Sequence, residues 1–149
     1  MRAETIARGL GALGLALVLG ALGFQYFVHL APCEMCHWQR WPLIAAAIIG
    51  LVIVPFRKSD AFLLAALTVL LVAISGGIGL YQTGMQYHIL PGPTACTAHR
   101  YVIGSGAAAP DIACDVPTGW VLGLALPAWN AIISLGGALI GAIAWTRSK

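Results

Sequence analysis

The sequence predicts an all-α fold, a four-helix transmembrane bundle with one long loop on its outer side, from three observations. Hydrophobic residues make up 60% of the 149 positions and charged residues only 9%, against about 25% charged in an ordinary soluble domain. A water-soluble core cannot use that much apolar surface, so lipid has to take up the excess. The apolar residues fall into four runs divided by polar segments, and the basic residues collect on one side of the path those runs describe. The formal net charge of +3 comes with no basic face, which leaves no case for nucleic acid.

The whole chain, 1–149, reads as a single integral membrane domain. Residues 9–28 are twenty apolar positions whose only strongly polar member is Gln25, enough to cover about 30 Å as a helix. A cleaved signal peptide has a shorter core and small residues at its end. This run instead finishes in Phe24, Tyr26, Phe27 and His29, which predicts a retained span over about 9–29. Its glycines, Gly11, Gly14, Gly20 and Gly23, weaken a helix in water but let helices approach closely in lipid. Residues 41–54 are apolar yet only fourteen long. A helix that begins near Cys36 or His37, with Pro42 close to its start, lengthens this run to a span over 37–55.

A tight charged turn at 56–60 leads into a third span at 61–81, whose end, Ser75-Gly76-Gly77-Ile78-Gly79, is small enough to pack tightly or bend. Residues 82–119 hold Gly, Pro, Thr, His and two cysteines with no sustained helical period, and form the long loop. The fourth span, over 120–145, is interrupted by Pro127 and Asn130 and carries Gly137-x-x-x-Gly141. Trp145 then supplies an interfacial ring ahead of Arg147 and Lys149.

On this path Arg2, Arg8, Arg57, Lys58, Arg147 and Lys149 share one side, and only Arg40 and Arg100 lie on the other. The positive-inside rule makes both termini cytoplasmic. Loops 30–36 and 82–119, with Cys33, Cys36, Cys96 and Cys114, are then outside. The outer face of a bacterial inner membrane, the periplasmic side, is where disulfides persist. Charge and cysteine placement are independent patterns, and they agree.

Cys33-Glu34-Met35-Cys36 is a redox dithiol, half a zinc site, a haem attachment site or an inert pair. Zinc wants a second close pair, whereas Cys96 and Cys114 have seventeen residues between them, so no metal site is expected. The literal C-x-x-C-H ending in His37 admits a membrane c-type haem carrier, with His29, His88, His99, Met35 or Met85 as second axial ligand. That reading leaves Cys96, Cys114 and Arg40 without a role. A redox dithiol uses more of the chain. At a helix start, unpaired N–H groups and the positive dipole end stabilise a thiolate. Arg40, one turn after Cys36, adds positive charge on the same face or holds a carbonyl-bearing acceptor. Glu34 reads as a solvated carboxylate at the helix start, and Trp38 and Trp41 as members of the interfacial aromatic belt. A bond between Cys96 and Cys114 has two readings: a structural staple worth about 3 kcal/mol, or an exchangeable disulfide on a Gly/Ala-rich tether.

In order, Cys33-x-x-Cys36-x-x-x-Arg40, Pro91-x-Pro93-x-x-Cys96, and Cys114 followed by Trp120-x-Leu122-Gly123-Leu124-x-x-Pro127-x-Trp129 resemble the DsbB family of disulfide bond formation proteins. The resemblance covers most of the chain, including the four spans and the long outer loop. It implies an inner-membrane four-helix bundle that reoxidises a periplasmic thioredoxin-fold oxidase, DsbA, and passes the electrons to ubiquinone or menaquinone. That DsbA–DsbB–quinone route is known to keep the periplasm oxidising. By position, the resemblance implies that the partner attacks Cys96, that Cys114 is the original bonding partner of Cys96, and that Cys33 and Cys36 regenerate the loop disulfide. Cys36 then lies beside the quinone, which Arg40 polarises. DsbA is a strong oxidant at about −120 mV, so no relaxed structural disulfide oxidises it, and coupling to a membrane acceptor supplies the drive. A vitamin K epoxide reductase-like bundle is a related alternative, but the motif order fits DsbB better. Two departures stand out. Many members carry a histidine just after the third span, where this chain has Gln82 and Thr83, so His88 reads as a polar loop residue. The Cys96 to Cys114 interval is short, so an interfacial helix found there in some relatives is reduced or missing.

Overall fold

The computed structural model of the chain describes residues 2–93, 96, 113–117 and 119–148. Arg100, His99, Lys149, the Gly/Ala-rich tether and the expected loss of an interfacial helix all concern positions outside these residues. The fold is all-α in its body. Four helices, α1 (Ala3–Phe27), α2 (Glu34–Phe56), α3 (Ala61–Gln86) and α4 (Leu126–Thr146), are each long and apolar enough to cross a membrane. Their outward faces carry Leu19, Leu63, Leu70, Leu139 and Ile140 exposed. Gln39, Thr68, Ser75, Gln82 and Ser134 are buried. Apolar outside and polar inside is the arrangement a lipid solvent favours, because a polar side chain in hydrocarbon needs a partner within the protein.

Helix α2 starts at Glu34, ahead of the start near Cys36 or His37 that the apolar run favoured. The reason is local: Cys33, in extended conformation at the N-cap, accepts a hydrogen bond from the Cys36 N–H through its sulfur. Pro42 therefore lies well inside the helix. Further along, residues Ile48–Ile53 widen into a π-helical turn around the buried Gly50.

Here α1 and α2 meet backbone to backbone. A Cβ on Gly11 would stand 2.9 Å from the Gly50 Cα, and one on Gly14 would stand 2.8 Å from the Leu43 carbonyl oxygen. A Cβ on Gly50 would collide with the Ala7 carbonyl. Gly50→Ala is therefore expected to cost about 1–3 kcal/mol through overpacking and to lower the thermal unfolding midpoint in detergent. Gly23→Ala, whose methyl meets nothing within 4 Å, serves as the control and should hold or raise that midpoint.

The small end of α3 packs tightly rather than bending, for Gly76 and Gly79 receive Leu135 and Pro127 of α4. The Phe62 and Trp145 rings stack 4.8 Å apart at the opposite end of these helices, and the Trp145 Nε1–H donates to the Phe62 carbonyl at 2.9 Å. Ala3, Val54, Ala65 and Trp145 pack together there, the end that carries Arg2, Arg57 and Arg147. The cysteines gather at the other end.

Between the long loop and α4 lies a hairpin that the apolar pattern does not announce. β1 (Trp120–Val121) pairs antiparallel with β2 (Leu124–Ala125). The two-residue loop, Leu122-Gly123, has φ of +50° and +82°, the left-handed pair that matches the twist of a tight hairpin. The Trp129 Nε1–H donates to the Val121 carbonyl at 2.8 Å and ties the hairpin to the first turns of α4. Pro127, at the start of α4, lacks an N–H that the helix does not need there.

Candidate active site

The Cys33 and Cys36 sulfurs lie 2.7 Å apart at the first turn of α2. The i, i+3 spacing at a capped helix start brings them together: Cys33 stands at the cap, Cys36 one turn on, and the Cys36 N–H points at the Cys33 sulfur at 3.3 Å. Both are free thiols, Cys33 buried and Cys36 half-buried. The hydrogen bond with Cys36 and then burial push the Cys33 thiol up from its ordinary value.

Cys96 and Cys114 are joined in a disulfide, with Cα atoms 5.3 Å apart. Backbone hydrogen bonds hold the two ends together: the Cys114 N–H donates to the Cys96 carbonyl at 3.1 Å, and the Cys96 N–H to the Pro93 carbonyl at 2.9 Å. Both cysteines are buried in one cluster with Cys33, Met35 and Met85, against which Cys36 packs. All four cysteines thus converge, a dithiol and a disulfide side by side. Exchange between them needs a thiolate to reach a disulfide sulfur, and this packing shortens that path.

Arg40 and Cys36 open onto one cavity of about 320 Å³ beside the dithiol. Its walls are mainly apolar, built from α1, α2 and the start of α4, with Phe24 and Trp129 supplying aromatic surface. The Arg40 Nη1 donates to Gln25 Oε1 at 2.7 Å. The same arginine's Nε, and Oε1 of Gln86, are buried with no hydrogen-bond partner among the described residues. An apolar cavity with a few convergent polar groups is the usual form of a small-molecule site. An unused donor and an unused acceptor on two of its lining residues fit a flat ring whose oxygens accept when oxidised and donate when reduced, as those of a quinone and its quinol do. Gln25 was visible in the sequence as the one strongly polar residue of its run, yet nothing there paired it with Arg40.

The residues that sequence reasoning missed are amides. Gln82 Nε2 lies 3.0 Å from the Cys33 sulfur and 3.8 Å from that of Cys36. Its Oε1 accepts from Gln39 Nε2, and Gln39 Oε1 accepts from Asn130 Nδ2 at 2.8 Å. Gln39 and Asn130 carried a signal, since each is a polar residue inside an apolar span, where such residues are rare and need a reason, whereas Gln82 falls just past the 61–81 run and carried none. His88, by contrast, is exposed at the end of α3 with φ +57°. His37 and Glu34 are also exposed.

The family model for the disulfide bond formation protein DsbB matches residues 4–144. Among curated relatives, disulfide bond formation protein B of Neisseria meningitidis serogroup A is 30% identical over 93% of this chain and 92% of its own length. Its namesake in Aromatoleum aromaticum is 40% identical over 49% of this chain and 48% of its own length. That of Dechloromonas aromatica is 35% identical over 58% of this chain and 50% of its own. In these last two the match spans about half of the relative. No solved structure matches the chain. With four spanning-length helices, a dithiol and a disulfide at one end, and a family match along nearly its whole length, the chain belongs to the DsbB family of membrane disulfide bond formation proteins.

Proposed function

We propose that this chain is a protein-dithiol:quinone oxidoreductase that reoxidises a DsbA-like thioredoxin-fold partner and delivers the electrons to a membrane quinone. The observation that carries the reading is the shared position of Cys36: it belongs to the sulfur cluster that holds the loop disulfide, and it lines the cavity together with Arg40. One residue therefore faces both the donor and the acceptor side.

The electron path runs through sulfur. A partner thiolate attacks Cys96, a new S–S bond forms between them, and the electron pair of the old bond stays on Cys114. Resolution of the mixed disulfide by the partner's second thiol leaves the loop pair reduced and the partner oxidised. The loop pair then regenerates its disulfide at the expense of a Cys33–Cys36 disulfide, leaving Cys36 as the thiolate at the cavity. A quinone bound there would take two electrons and two protons from the Cys33–Cys36 pair, whose disulfide re-forms. Arg40 holds the acceptor's oxygen by charge and hydrogen bond, and Gln25 keeps the guanidinium in place. The apolar walls keep water from the exchange.

The whole chain acts as one membrane domain in the bacterial inner membrane. Both termini, with Arg2, Arg57 and Arg147, are cytoplasmic, and the four cysteines are periplasmic. Purified protein mixed with a reduced thioredoxin-like partner and a soluble quinone analogue should consume quinone catalytically, followed by absorbance. Consumption no faster than that of the variant with all four cysteines changed to serine would sink the reading.

A further inference from the structure

The dithiol is held from inside the bundle by a chain of three amides whose direction is fixed at its far end. Asn130 Nδ2 lies 3.3 Å from the carbonyl oxygen of Ser75 and 3.2 Å from its Oγ. A carbonyl oxygen only accepts, so the amide atom facing it is the nitrogen. Ser134 donates to the opposite atom, Asn130 Oδ1, at 3.0 Å, and agrees with that orientation. The same nitrogen donates to Gln39 at 2.8 Å, so the Gln39 atom there is the oxygen. Gln39 then presents its nitrogen to Gln82, which must offer its oxygen. What is left for the sulfurs is the Gln82 Nε2–H, at 3.0 Å from Cys33 and 3.8 Å from Cys36. A backbone carbonyl on α3 thus decides, through three side chains, that the thiol pair meets a donor.

We infer that Gln82 is a catalytic residue of the dithiol, its N–H holding the negative charge of the reduced pair, and that Gln39 and Asn130 are positioning residues that aim it. Gln82 and Gln39 are 1% and 6% exposed, so water does not replace this donor. A hydrogen bond to an ionised acceptor is about twice as strong as a neutral one. It favours the reduced, thiolate-bearing state over the neutral disulfide, which makes the pair more oxidising. Because an amide does not ionise, the site has this donor without adding a charge to an apolar interior. The inference rests on the reading of Cys33 and Cys36 as an exchanging pair.

The test is the equilibrium of that pair with glutathione, in full-length protein carrying Cys96→Ser and Cys114→Ser. The reaction balances as dithiol plus glutathione disulfide giving protein disulfide plus two glutathione thiols. Gln82→Leu should move the equilibrium constant about tenfold toward the oxidised pair. Asn130→Leu, which touches neither sulfur, should move it the same way by less, as Gln39 and Gln82 become free to turn over. An unchanged constant in folded Gln82→Leu protein overturns the inference. If that variant does not fold, an unchanged constant in Asn130→Leu overturns it. Neither partner nor quinone enters this measurement. A shift here alongside a failed quinone assay would therefore strike the proposed function alone.

Discussion

Cys36→Ser is expected to abolish continuous quinone-linked turnover while leaving one round of chemistry intact. A serine hydroxyl forms no disulfide and is not ionised near neutral pH, so the inner pair cannot close. The loop disulfide between Cys96 and Cys114 is untouched by the change and should still oxidise about one equivalent of a reduced thioredoxin-like partner. Rapid mixing should show that stoichiometric burst followed by nothing above the four-serine background. Cys114→Ser should lose the burst as well, because Cys96 then has no partner to release. Sustained quinone reduction by Cys36→Ser protein would mean that electrons leave the loop by another route, and the proposed path would be wrong.

The second large effect belongs to Arg40. Arg40→Leu removes the donor to Gln25 and the cation beside the cavity. Hydrogen bonds to charged groups are worth about 1.5–3 kcal/mol, so kcat/KM for quinone should fall about 10- to 100-fold. Arg40→Lys should recover little. A lysine keeps the charge but cannot engage Gln25 and present a second N–H from a fixed plane. The single-round oxidation of partner should stay normal in both variants, since it needs only the loop disulfide. Unaltered quinone kinetics in Arg40→Leu would remove Arg40 from the acceptor site.

The four helices could be read from sequence because lipid imposes a length, and residues such as 9–28 and 61–81 meet it by composition alone. The grouping of Cys33 with Cys36 and Arg40 was equally legible, since i, i+3 and i+4 spacings on one helix need no tertiary information. The start of α2 was not, because the capping group is a sulfur, which no usual capping preference picks out. The hairpin was hidden for a similar reason. Its tight turn puts Leu122 at positive φ, a place where Asn, Asp or Gly normally signals the bend. The amide chain lay further out of reach. Gln39 joins Gln82 across 43 positions and Asn130 across 91, and no local pattern links residues at those separations. Gln82 stood out in the sequence only as a residue that is not histidine, whereas its place against the sulfurs gives it a reason of its own.

The seam of Gly11, Gly14 and Gly50 fixes the spacing of α1 and α2. Below it the two backbones touch. Toward the cysteine end Ala16, Gly20 and Ala21 of α1 and Leu43 of α2 line the cavity. The glycine seam is thus the apex at which the two helices that line the cavity are pinned together. A methyl group added at Gly14 would stand 2.8 Å from the Leu43 carbonyl oxygen, so it is expected to push the two helices apart at the apex. The smallest side chains of the protein thus set how closely the two helices that flank Cys36 approach.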